Sequence, residues 1–140
     1  MFPPRRPGLA AALALAALSV VTGVGCGGTK DDRPPQWSFI SPSIIEPACA
    51  TVNCHSAITH QGNVNLSNST IGYETLVNVN GSADAGSGGT FYVIPGSPDQ
   101  SALITLLNAV GSIRMPPDNP LPQADIQLIS NWISLGASPE

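Results

Sequence analysis

The stretch Cys49–Ser56, "CATVNCHS", puts four residues between two cysteines and a histidine directly after the second. In covalent haem attachment two thiols add across the vinyl groups and the following histidine turns its imidazole onto the iron, commonly with the spacing C-x-x-C-H. Here the spacing is C-x4-C-H. The adjacency that matters, Cys54–His55, is intact, and the first thiol has only to reach the other vinyl with two extra residues looped out. A second reading is a Cys49–Cys54 disulfide closing a short loop, which an exported location permits. A structural zinc site takes four ligands, and only His60 remains to join these three residues.

An electron-transfer haem has a second axial ligand opposite the histidine, and a methionine thioether is a common choice that raises the potential. Apart from the initiator, the chain has one methionine, Met115, in "RMPPDNP". The two prolines after it restrict the backbone and lower the entropy lost when the sulfur is held. Plain packing of Met115 is the competing reading. His60, five residues beyond His55, is too close in sequence to carry the chain around to the opposite face of a haem, and reads as a surface or propionate-neighbouring histidine.

Working outward, "NSTIGYETLVNV" places Tyr73, Leu76 and Val77 at helical spacing, with Thr70 or Ser69 as cap. The segment 78–90 is rich in Gly, Ser and Asn and reads as a mobile surface loop, and "FYVIPG" after it as extended. "SPDQSALITLLNAV" predicts a helix with Ser97 as N-cap, Pro98 in its first position, Gln100 completing a capping box, a stripe of Leu103, Leu106, Leu107 and Val110, and Gly111 as its stop. "SIRMPPDNPLP" is too rich in proline to be helical. "QADIQLISNWISLG" predicts the last helix, with Ile126, Ile129, Trp132 and Ile133 on one face and Gly136 as terminator. From Ser43 a helical turn can start, but Pro47 limits any helix running through it unless that proline sits in the first turn. The expected fold is all-α: three to four short helices joined by long Gly/Pro-rich loops. So loop-rich a domain needs a staple, and a disulfide, a metal or a large buried cofactor would each serve.

The first 25 residues read as an address: Arg5 and Arg6, then an apolar run, then "GVGC". The run is too short and too glycine-rich for a comfortable membrane span, which takes roughly 20 apolar residues. "GVGC" resembles a bacterial lipobox, which implies lipidation at Cys26; Gly23 stands where leucine is preferred, so ordinary cleavage and an uncleaved anchor remain alternatives. The expected organisation is a signal peptide over 1–25, a tether over 26–42 whose "CGGTKDDRPP" has no apolar periodicity, and a folded domain over 43–140, with Trp37, Phe39 and Ile40 opening the packed part. Without the signal, three basic residues, Lys30, Arg33 and Arg114, face nine acidic ones. So few cations cannot neutralise a run of phosphates, which excludes nucleic acid as a partner, whereas a redox protein with a basic docking surface matches the charge.

The segments "CATVNCHS", "GNVNLS", "YETLV", "VIPGSPDQSALI", "RMPPDNPLP" and "DIQLISNWISLGA" follow in order the pattern of the small cytochrome c-like domains of planctomycetes and myxobacteria, a resemblance that covers roughly Ile44–Ala137. It implies a cytochrome c-like fold with one covalent haem c, attachment cysteines at Cys49 and Cys54, and axial ligands at His55 and Met115. Two departures are the wider cysteine spacing and Pro122, where Ser or Thr often precedes the last helix.

The function expected is that of a lipid-anchored monohaem c-type cytochrome that relays single electrons in the bacterial cell envelope, on the periplasmic or cell-surface side. It would be an electron carrier and not an enzyme. The alternatives are a non-haem surface lipoprotein used as an interaction module and stapled by a Cys49–Cys54 disulfide, and a haem sensor or peroxidase with an open iron position. Nucleophilic and phosphoryl chemistry lack their parts: there is no second Cys–His pair and no phosphate-binding Gly-rich loop. Asp118 and Asp125 read as a loop acid and a first-turn helix acid.

Overall fold

Two prolines five residues apart, Pro42 and Pro47, shape the first element. An α-helix would press each proline ring on the carbonyl four residues earlier and would miss a hydrogen bond there. The chain widens instead. In the computed structural model, which describes residues 31–77 and 91–140, helix α1 (Trp37–Ile40) passes into a π-helical turn (Ser41–Ile45) and then into α2 (Glu46–Cys49). The Glu46 amide reaches back five residues to the Ser41 carbonyl, and the buried Ser41 hydroxyl donates to the Glu46 carboxylate at 2.9 Å across the same turn. Such π-turns relieve local conflicts in a helix. The helical run therefore passes both prolines, and Pro47 stands in the first turn of α2, the position in which it was expected to be tolerated.

Among the described residues three further helices follow: α3 (Ser69–Val77), α4 (Ala102–Asn108) and α5 (Gln123–Ser134). Single 3-10 turns lie at Gln61–Asn63, Pro98–Gln100 and Gly111–Ile113. Among the described residues there is no β-strand, and no helix is long and apolar enough to cross a membrane. The architecture is all-α. The stretch 1–25 expected to be a signal peptide, Cys26, and the segment 78–90 expected to be a surface loop lie outside the described residues.

The core is built from the two ends of the Asp31–Glu140 unit. Trp37 stacks on Trp132 with ring centroids 5.0 Å apart, and Tyr73 meets both rings at 6.1 and 6.4 Å. Offset aromatic contacts of this kind add to the stabilisation from burial alone. Each polar head is satisfied by a backbone carbonyl: Trp37 Nε1 donates to Ser69, Trp132 Nε1 to Ser138 and the Tyr73 hydroxyl to Ala137, at 2.7–2.9 Å. Around the trio pack Ile40, Ile44, Ile45, Leu76, Ile129 and Ile133. Because Trp37, Ile40 and Ser41 are buried, the folded part starts within the 26–42 stretch assigned to the tether. Arg33, from that same stretch, pairs with Asp31 and with Asp125 in the first turn of α5.

Local details depart from the sequence expectations in two helices. The cap of α3 is Asn68, whose Oδ1 accepts the Ile71 amide at 3.0 Å; neither Ser69 nor Thr70 serves. Helix α4 starts at Ala102, because the fully buried Ser101 hydroxyl accepts from the Ile94 amide and donates to the Ser97 carbonyl, holding the preceding turn apart from the helix. Ser97 makes no side-chain cap. The helix ends at Asn108, where Ala109 turns extended, so Val110 leaves the packed stripe and is 82% exposed. Helix α5 behaves as expected, with Leu128 buried in addition. Its end is a Schellman turn: Gly136 has φ 101°, its amide donates to Ile133, and the Ala137 amide donates to Trp132.

Gly72 provides a test of this packing. A Cβ placed there lies 3.3 Å from Trp37 Cζ2, and Trp37 cannot yield because it is stacked and hydrogen-bonded. Replacing a helical glycine by alanine ordinarily gains up to ~1 kcal/mol, yet Gly72→Ala is expected to destabilise the fold, since overpacking costs about 1–3 kcal/mol. A lowered urea midpoint checks this; a raised midpoint contradicts it.

Candidate functional site

Helix α2 ends at Cys49, and the chain then folds back on itself. The His55 amide donates to the Cys49 carbonyl at 3.1 Å, and the Cys54 amide to the Thr51 carbonyl at 2.9 Å, so the four residues between the cysteines form a closed loop that returns Cys54 and His55 to the end of the helix. Within it, the Ser56 and Thr59 hydroxyls both donate to the Val52 carbonyl. Cys49 and Cys54 are free thiols, both partly buried. Burial, and secondarily the neighbouring Cys54, pushes the Cys49 thiol up to about 11. Cys49 therefore keeps its proton at neutral pH.

A second segment fastens His55 from the other side. The turn Gln61–Asn63 includes left-handed backbone at Gly62 (φ 64°) and Asn63 (φ 61°), preceded by His60 at φ 42°. It directs Val64–Leu66 alongside His55: the Leu66 amide donates to the His55 carbonyl at 2.8 Å, and His55 Nδ1 lies 3.3 Å from the Val64 carbonyl. A carbonyl only accepts, so this contact is a hydrogen bond when Nδ1 carries the proton, which leaves the lone pair on Nε2. Val64 and Leu66 are themselves buried, which makes the support rigid. An imidazole oriented through its far nitrogen, with the other nitrogen able to donate electrons, is the form in which histidine binds metal. On this observation the residues present fit a haem iron at His55.

Met115 stands on a separate loop. Its amide donates to the Leu106 carbonyl at 3.0 Å, at the end of α4, and its side chain is 36% exposed. Its peptide bond to Pro116 is cis. Among the described residues no hydrogen bond joins this loop to the Cys49–Leu66 segment. The structure thus brings Cys49, Cys54 and His55 together, and presents Met115 from a different part of the chain. His60 is exposed, with Nε2 3.3 Å from the Asn65 amide nitrogen. Among the described residues no three His, Cys, Asp or Glu side chains converge as a metal site.

Leu103, Leu107, Ile129, Trp132 and Ile133, expected to face a porphyrin or the packing next to it, are buried in the core, and Leu106 is half-buried. The large apolar side chains left exposed near the two segments in sequence are Val52, Ile58, Val110 and Ile113. The Val64 carbonyl was not legible beforehand, because a backbone acceptor has no residue-type signature. Comparison with known proteins found no family model, curated protein or solved structure that matches the chain.

The raised Cys49 value has a sign that can be measured. The folded state holds the thiol proton more tightly than the unfolded state, so this group's contribution to stability is complete below its ordinary value of 9.0 and is lost as pH rises toward about 11. Since the thiolate is the nucleophile, alkylation of Cys49 in the haem-free chain should be slow near neutral pH and accelerate through that alkaline window. Peptide mass analysis resolves Cys49 from Cys54. Fast modification of Cys49 at neutral pH would show that the thiol is not shielded.

Proposed function

We propose that this protein is a lipid-anchored monohaem c-type cytochrome that relays single electrons in the bacterial cell envelope. The observation that carries the reading is the environment of His55: an imidazole whose Nδ1 lies 3.3 Å from the Val64 carbonyl, a contact that leaves Nε2 free to donate when Nδ1 carries the proton, directly after Cys54 and folded back onto Cys49. Cys49 and Cys54 would hold one haem through thioethers, and His55 and Met115 would be its axial ligands. When bound, the haem supplies a one-electron ferric–ferrous couple.

The chain's own residues have defined tasks in this reading. The Val64 carbonyl fixes the ring plane of His55 and increases the basicity of Nε2. Met115 offers a soft sulfur that favours the ferrous state. Val52, Ile58, Val110 and Ile113 are exposed apolar side chains, which a porphyrin lying against them would shield from water. The wider cysteine spacing is accommodated by the loop that closes between the Cys49 carbonyl and the His55 amide. The resemblance to the small cytochrome c-like domains of planctomycetes and myxobacteria, named above on its motifs, supports the same assignment.

An electron carrier of this kind performs no bond-making chemistry on a substrate, so the protein is not an enzyme in this reading. The excess of acid over base favours a redox partner with a basic docking surface, since complementary charge speeds encounter. Residues 1–25 would direct export and Cys26 would carry the lipid, placing the domain on the periplasmic or cell-surface side.

The test is expression of the full chain in a host that attaches c-type haem. The expected product is coloured, keeps its haem in denaturing electrophoresis, and has the mass of one haem added to the polypeptide, with Cys54→Ala losing covalent attachment at one vinyl. A colourless product whose mass is two hydrogens below the reduced polypeptide, apart from lipid, contradicts the proposal and indicates the Cys49–Cys54 disulfide module.

A further inference from the structure

Arg114 is, among the described residues, a cation with no ion pair. Arg33 is committed to Asp31 and Asp125, whereas among the described residues Arg114 has no carboxylate within ion-pair distance. Its guanidinium turns back on its own loop. Nη2 donates to the Pro117 carbonyl at 3.0 Å, and Nε to the Pro116 carbonyl at a longer 3.4 Å. Both bonds span Met115 in the chain, whose amide is held by Leu106, while the Arg114 amide donates to Gly111.

These two bonds are more than decoration of a turn. Pro116 and Pro117 have no amide hydrogen, so neither can be tied down by donating. Among the described residues, the segment 116–121 makes no hydrogen bond other than the two from Arg114. Remove the guanidinium, and the chain from Met115 to the start of α5 is left with Leu121, partly buried against the core, as its one apolar foothold. A planar fork with several donors suits two successive carbonyls, which a single ammonium cannot reproduce in the same geometry.

We propose that Arg114 is a positioning residue for Met115: a guanidinium brace that closes the Met-Pro-Pro turn and fixes where the thioether is presented. The purpose of the brace rests on the haem reading of Met115, but the brace itself is a property of the polypeptide. A sulfur carried on an unbraced loop would have to surrender that loop's conformational freedom each time it bound a metal. With the brace in place, that freedom is already gone.

The experiment compares the full chain with Arg114→Ala and Arg114→Lys, and follows amide hydrogen exchange at Met115 with the Trp132 amide as the internal measure of global folding. Arg114→Ala is expected to speed exchange at Met115 by roughly tenfold or more, the scale of a lost hydrogen bond from a charged donor, with Trp132 unchanged and the lysine variant in between. Should Arg114→Ala speed exchange at Trp132 as well, Arg114→Lys decides. Exchange at Met115 that stays at the wild-type rate in the variants overturns the brace. In haem-loaded protein the same substitutions are expected to weaken the sulfur-to-iron charge-transfer band. If wild type has no such band, the ligand role of Met115 fails, while the exchange result still decides whether Arg114 braces the turn.

Discussion

The stack of Trp37 on Trp132 is the contact on which the rest of the domain depends. It joins the first helix to the last, with Tyr73 wedged against both rings and the Trp37 amide donating to the Glu140 carbonyl. Burying two indoles is a large apolar gain that is kept only if both N–H groups find partners. They do so on the Ser69 and Ser138 carbonyls, which fixes the start of α3 and the chain beyond α5 at the same time. One cluster thus sets the position of three helices.

Closing the core with the ends of the unit has a consequence for its middle. The segments Cys49–Leu66 and Leu106–Pro122 send Val64, Leu66 and Leu107 into this core and hold polar and half-exposed side chains on its outside. The sequence suggested that so loop-rich a domain would need a staple. Within the polypeptide a continuous apolar cluster carries the packing, and Cys49 lies against its edge. In the proposed function a haem would extend this cluster without being its centre, and would meet a histidine and a methionine whose backbones are already fastened.

What could be read in the sequence follows from how local each cause is. Helix α5 was legible in stripe and terminator because its 3.6-residue pattern and Gly136 act within a few residues. The start of α4 was not, since Ser101 spends its hydroxyl on Ile94 and Ser97, and nothing in "SPDQSAL" distinguishes that use from a capping box begun at Ser97. Of the run through Pro42 and Pro47, the tolerance of Pro47 in a first turn was legible, whereas the π-turn at Ser41–Ile45 was not, because such turns are rare and have no residue-type signature. At the site, the residue types Cys49, Cys54, His55 and Met115 drew notice by themselves, whereas the Val64 carbonyl and the hydrogen bonds from Arg114 depend on backbone geometry that no residue name announces.

The central claim is that iron is held between His55 Nε2 and the Met115 sulfur. Because Met115 is the one methionine beyond the initiator, a full chain labelled at methionine methyl groups and reduced with its haem attached gives a direct measurement by NMR. The account predicts a methionine methyl resonance displaced far upfield by the porphyrin ring current. A Met115 methyl at its ordinary position, in protein that carries covalent haem, would contradict it.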